Sequence, residues 1–162
     1  MKICCIFGNN FWVSESNEHP GYSETRTFLP QFEGDIHVIK VYDGDTITIA
    51  TRVRGHGNEW YRFQVRLQGI DCPEMKTTNV IEKKIAMIAR DFVSSKVLNK
   101  IITLSNVQYE KYGRLLADVF IDGESLSESL LNARLAVRYS GKTKSAPSDW
   151  EEYYNGNLSV DV

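Results

Sequence analysis

Between Ile36 and Leu67 the sequence holds three β-type runs separated by segments too short to contain a helix. Ile36 to Tyr42 is dense in β-branched residues, Thr46 to Val53 alternates in part, and Trp60 to Leu67 is the third run. The links are Asp43-Gly-Asp45 and a stretch from Arg54 to Glu59 with the glycine and asparagine content of a hairpin loop. Strands joined this way are antiparallel neighbours, because a parallel pair needs a crossover of about a dozen residues or more. That excludes a doubly wound parallel sheet, which requires a helix after nearly every strand.

Further along, the period changes. Ile81, Ile85, Ile88, Phe92 and Val93 recur at three- and four-residue steps, while Lys83, Lys84, Arg90 and Lys96 fall elsewhere. This spacing predicts an amphipathic helix from about Val80 to Leu98, packed by one side on the sheet. Thr77, Thr78 and Asn79 are candidate N-caps, and Glu82 stands at capping-box spacing from Asn79. Two more strands follow, Ile101 to Gln108 and Arg114 to Ile121, then a turn at Asp122-Gly123. Ser125 to Arg134 reads as a second helix, Ala136 to Tyr139 as a short extended piece, and Asp149 to Tyr154 as one or two helical turns capped by Ser148. Five strands with a helix between the third and fourth is the order of an OB-fold barrel. The expected class is mainly β with two to three packed α-helices. The expected organisation is an N-terminal extension over residues 1–34, a barrel domain over 35–140 and a short tail over 141–162.

Composition sets outer bounds. Hydrophobic residues make up 42% of the 162 and charged residues 25%, which suits a folded, soluble domain. No apolar run approaches the ~20 residues that span a bilayer, and the run before Asn9 is too short for a signal peptide. The three cysteines are Cys4, Cys5 and Cys72, an odd set with two adjacent, so no disulfide framework is expected and a reducing, intracellular setting is favoured. The net charge of −2 excludes a purely electrostatic nucleic-acid binder, whose domain pI is usually above ~9. It leaves room for an enzyme with acids at a metal and a local basic rim. Lys142 and Lys144 offer such a rim, or simply keep a loop soluble.

Three stretches hold polar groups that a core would reject: Asp43-Gly-Asp45-Thr46, the corner from Arg66 to Glu74, and Lys111-Tyr112-Gly113-Arg114. In the corner, Gly69 ends the strand and Pro73 fixes the backbone beside Cys72, so Asp71 and Glu74 sit on a stiff turn. Two acids and an arginine on a stiff turn suit a metal and a phosphate; each stretch taken alone is also compatible with a solvated turn.

Taken together and in order, these stretches resemble the staphylococcal nuclease (thermonuclease) family. The likeness runs from about Ile36 to Tyr139 through Asp43-Gly-Asp-Thr, Arg66-Leu-x-Gly-Ile-Asp71-x-Pro-Glu74 and Lys111-Tyr-Gly-Arg114-x-Leu-Ala117. The resemblance implies a calcium-dependent phosphodiesterase, a hydrolase acting on DNA and RNA; the lack of a long apolar run gives no reason to expect a membrane partner. It implies Asp45, Asp71 and the backbone carbonyl of Cys72 as calcium ligands, with Thr46 in support. Arg66 and Arg114 match the pair that grips the scissile phosphate, and Glu74 the carboxylate that positions or deprotonates the attacking water. Asp43, Lys111 and Tyr112 match positions around the metal and nucleotide, with Tyr139 more loosely placed near the nucleotide. A monomer is expected. The family's long C-terminal helix has no counterpart, and the N-terminal extension, expected to cover apolar barrel surface, lies outside the common pattern. The rival reading is a non-catalytic OB-fold module that binds nucleic acid or protein.

Overall fold

The computed structural model describes residues 20–141 and 146–160. Cys4, Cys5, Lys142, Lys144 and most of the expected extension lie outside the described residues. Five strands close into a barrel: β1 (Phe32–Val41), β2 (Thr46–Val53), β3 (Tyr61–Leu67), β5 (Ile101–Tyr109) and β6 (Leu115–Ile121). β2 pairs antiparallel with β1 and β3, β5 pairs antiparallel with β1 and β6, and a parallel pairing of β3 with β6 completes the ring. The OB-fold expectation holds. The two-residue strand β4 (Ile70–Asp71) pairs with β8 (Val137–Arg138), and β7 (Glu124–Ser125) extends β6.

The inward residues are Val38, Ile47, Ile49, Val65, Leu67, Leu115, Ala117 and Val119, all buried. β1 starts earlier than its β-branched run, at Phe32. The polar Glu33-Gly34-Asp35 segment fits into the strand because Gly34 adopts a positive φ of 76° where the register with β2 shifts, a glycine-permitted bulge.

Helix α1 (Val80–Val97) matches its spacing closely, and Asn79 caps it by accepting from the Ile81 and Glu82 amides. The helix side that meets the barrel is Ile85, Ala86, Ala89, Val93 and Val97. Ile81, placed on that side by periodicity, is 42% exposed. Two alanines stand in the contact instead, and they let the helix backbone approach the barrel. Glu82 forms no capping box with Asn79. Its carboxylate turns outward to the Thr77 hydroxyl (2.7 Å) and the Glu74 amide (3.0 Å). Helix α2 (Leu126–Asn132) buries Leu126 and Leu130. Helix α3 (Trp150–Tyr154) is capped by Asp149 rather than Ser148, since burial of Trp150 sets its first turn.

Candidate active site

The turn between β1 and β2, the corner after β3 and the turn before β6 meet at one end of the barrel. The backbone of each is fixed by hydrogen bonds. Tyr42 N–H donates to the Thr46 carbonyl (2.9 Å) and Leu67 N–H to the Asp45 carbonyl (2.8 Å), which ties the Asp43-Gly-Asp45 turn to β3. Gly69, at φ 81°, lets the chain reverse into β4, and its carbonyl accepts from Tyr139 N–H (2.9 Å). Glu110 and Arg114 close the third turn by a backbone bond of 2.9 Å, with Gly113 at φ 84°. β4 and β8 register Asp71 opposite Val137, which fixes the acidic corner from behind.

A cavity of about 340 Å³ opens between these turns. Asp43, Asp45, Arg66, Glu74, Arg114 and Tyr139 line it, as do Cys72, Lys111 and Tyr112. Thus nearly every site residue expected from sequence comes to one place. Thr46 and Asp71 stand behind the wall, buried. Arg66 bridges two acids, with Nη1 2.7 Å from Asp45 Oδ1 and Nη2 2.9 Å from Asp71 Oδ1. Thr46 Oγ1 donates to Asp45 Oδ1 (2.9 Å) and accepts from Arg114 Nη1 (3.2 Å). The Cys72 amide points to Asp45 Oδ2 (3.4 Å). Asp45 is therefore the hub that joins all three turns. Tyr112 is exposed at the rim, with the Lys111 ammonium 4.8 Å above its ring.

Glu110 was absent from the expected site. It holds Arg114 Nε at 2.6 Å and lines the cavity. Its signal was the four-residue spacing from Arg114. Glu82 was expected as a helix cap; it instead pins the amide of Glu74 and so fixes where that exposed carboxylate starts.

Burial pushes the Asp45 carboxyl up to about 7, with Asp43 and Asp71 adding to the rise and Arg66 and the Thr46 hydroxyl opposing it. Burial alone would lower the Arg66 pKa, but Asp45 and Asp71 outweigh it and keep the guanidinium charged. The Cys72 thiol is raised by burial and by the nearby acids, so it is no thiolate nucleophile.

Among the described residues no group of three Asp, Glu, His or Cys side chains already converges as a metal cage. The donor chemistry nevertheless fits a hard cation. Around the cavity Asp43, Asp45, Glu74 and Glu110, with Asp71 behind, outnumber Arg66, Lys111 and Arg114. The available donors there are oxygens, the ligand type that calcium takes. A buried carboxylate that burial keeps near neutral is one that an added cation would return to the charged form.

Two predictions arise here. Asp45→Asn keeps the side-chain shape and removes a charge whose burial outweighs the help it gets from Arg66 and Thr46. It is expected to raise the stability of the metal-free chain at pH 7–8 by about 1–2 kcal/mol, read from urea midpoints. Below the ordinary carboxylate pKa of 3.8 the wild-type acid is protonated whether folded or unfolded, so the gain vanishes there; it grows as pH rises towards about 7. The second concerns Gly44. A Cβ at this position would lie 2.8 Å from Cys72 Sγ and 2.9 Å from Ala89 Cβ, closer than carbon atoms pack. Gly44→Ala is expected to destabilise the fold by about 1–3 kcal/mol, measured as a lowered urea midpoint. The cause is contact: α1 and the acidic corner both press on this glycine.

Residues 64–156 match the family described as staphylococcal nuclease homologue. That stretch takes in Arg66 to Glu74 and Lys111 to Arg114. An uncharacterized endonuclease of Escherichia coli is 30% identical over 113 residues, covering 68% of this chain and 65% of the relative. The SPbeta prophage-derived endonuclease YokF of Bacillus subtilis is 35% identical over 121 residues, covering 68% of this chain and 37% of the relative. The thermonuclease of Staphylococcus hyicus is 32% identical over 101 residues, covering 61% of this chain and 56% of the relative. In each case the chain spans less than two thirds of the relative's length.

Proposed function

The chain belongs to the staphylococcal nuclease homologues, and from that premise we propose that it is a calcium-dependent nuclease hydrolysing phosphodiester bonds in DNA, RNA or both. The observation that carries the reading is the convergence of Arg66 and Arg114 on one cavity, linked through Asp45 and Thr46.

Asp45, Asp71 and the Cys72 carbonyl are the groups that would hold calcium, with Thr46 orienting Asp45. A calcium ion held there would supply Lewis acidity to the reacting phosphate and water. Arg66 and Arg114 present planar forks to the non-bridging phosphate oxygens and offset the charge that builds in the five-coordinate transition state. Glu74 positions the attacking water or takes its proton. The water oxygen bonds to phosphorus, the bond to the leaving sugar oxygen breaks, and no protein atom becomes covalently attached. Lys111 and Tyr112 at the rim, Asp43, and Tyr139 flank the nucleotide.

The test is cleavage of single-stranded DNA, double-stranded DNA and RNA by the purified chain, with calcium, with magnesium and with chelator. Calcium-dependent cleavage is expected. Its absence on all three substrates would defeat the reading and leave an OB-fold binding module.

A further inference from the structure

The outer face of β3 carries Arg62, Gln64 and Arg66 at alternate positions, so Arg66 is the last residue of a row that leads away from the cavity. Across the sheet Arg62 lies beside Ala50, which lies beside His37, and Gln64 lies beside Thr48, which lies beside Lys40. The row is thus flanked by His37, Lys40 and the small uncharged Ala50 and Thr48, while the acid Glu33 lies opposite Arg52. At its far end, roughly 20 Å from Arg66 at about 3.3 Å per strand residue, stands Trp60, 54% exposed. Arg52 stacks over the indole with its guanidinium carbon 5.0 Å from the ring centroid, and the His37 ring meets it edge-on at 5.3 Å. A cleft of about 350 Å³ opens beside the indole, with Ala50 and Val38 in its lining. Among the described residues neither Arg52 nor Arg62 is in an ion pair; Glu33, the strand partner of Arg52, forms none with it.

A large exposed aromatic beside an apolar slot, with the Arg52 guanidinium stacked on it and Arg62 further along the same sheet face, is the chemistry that takes an unpaired base and its phosphates. A duplex cannot present a base to that slot without unstacking it. A protein partner would be expected to leave the guanidinium groups facing acids of its own, whereas a polynucleotide supplies phosphates at every step. We propose that the outer face of β1, β2 and β3, ending in the Trp60 cleft, is a second contact for a single-stranded polynucleotide whose scissile phosphate lies at Arg66. This inference rests on the nucleic-acid reading of the site and names the form of the substrate. It gives the chain a grip several nucleotides from the cut, so long single strands bind better than short ones.

The test is binding in chelator, without turnover, by fluorescence anisotropy of a labelled dinucleotide and a labelled 12-mer. Trp60→Ala is expected to weaken the 12-mer by roughly 5- to 150-fold, the range for loss of one base stack, and to leave the dinucleotide unchanged. Arg52→Gln and Arg62→Gln are each expected to lower the salt dependence of 12-mer binding by about 0.7 in log–log slope, one phosphate contact. Unchanged 12-mer binding overturns the proposal, as does equal loss on both lengths. A lowered melting temperature with Kd unchanged also overturns it, since the cleft would then pack another part of this chain. Wild-type protein that cleaves nothing but binds the 12-mer through Trp60 would remove the nuclease reading and keep this surface. Wild-type protein that cleaves while ignoring Trp60 would do the reverse.

Discussion

Arg66→Ala is expected to lower turnover by about 10²–10³-fold, the cost of removing one charge-stabilising donor from a transition state. The same substitution leaves Asp45 and Asp71, both buried, without the guanidinium that bridges them. Breaking a buried pair typically costs about 3–5 kcal/mol. Here the loss is smaller, about 1–3 kcal/mol, because burial already favours the neutral form of Asp45 and the variant can protonate it. The variant is therefore a poor test unless stability is measured beside activity. Arg66→Lys separates the two effects. Its ammonium restores a positive charge and much of the urea midpoint, but it lacks the fork that spans two acids and a phosphate. Stability recovered without turnover identifies the guanidinium as catalytic; full turnover in the lysine or alanine variant would make Arg66 structural only.

Glu74→Gln is expected to reduce kcat by about 10²–10⁴-fold if the carboxylate takes the proton of the attacking water. The amide keeps the shape and can still hold a water. Glu74 is exposed, and its backbone amide donates to the Glu82 carboxylate. Stability should therefore stay within about 0.5 kcal/mol of wild type. The pH profile decides the role. A proton acceptor gives kcat/KM an acidic limb that disappears in the glutamine variant. A group that only holds the water leaves the limb in place and a larger residual rate.

Much of this could be read from the chain because it is local. The strand run from Leu115 to Ile121 and the helical steps from Ile85 to Val93 each bury one side of a single element, so their period survives in the sequence. The three polar turns were visible for a related reason: glycine and proline mark the backbone that holds them. What was hidden depends on contact between distant segments. Nothing around Gly44 announces that Ala89 and Cys72 will press on it. Glu82 has capping-box spacing, yet the corner at Glu74 offers it a better donor. Glu110 looks like one more charge in a turn until Arg114 folds back over it. Ser148 and Asp149 are equally good caps by type, and only the burial of Trp150 chooses between them.

The pairing of β3 with β6 closes the barrel and also sets Arg66 beside Leu116, two residues past Arg114. Asp45 and Arg66 leave a ribosome well before Arg114 does. Until β6 docks, the emerging chain holds only part of the cavity wall, and the two arginines do not yet line one cavity. On the nuclease reading, the cavity wall is therefore complete only once synthesis has passed β6.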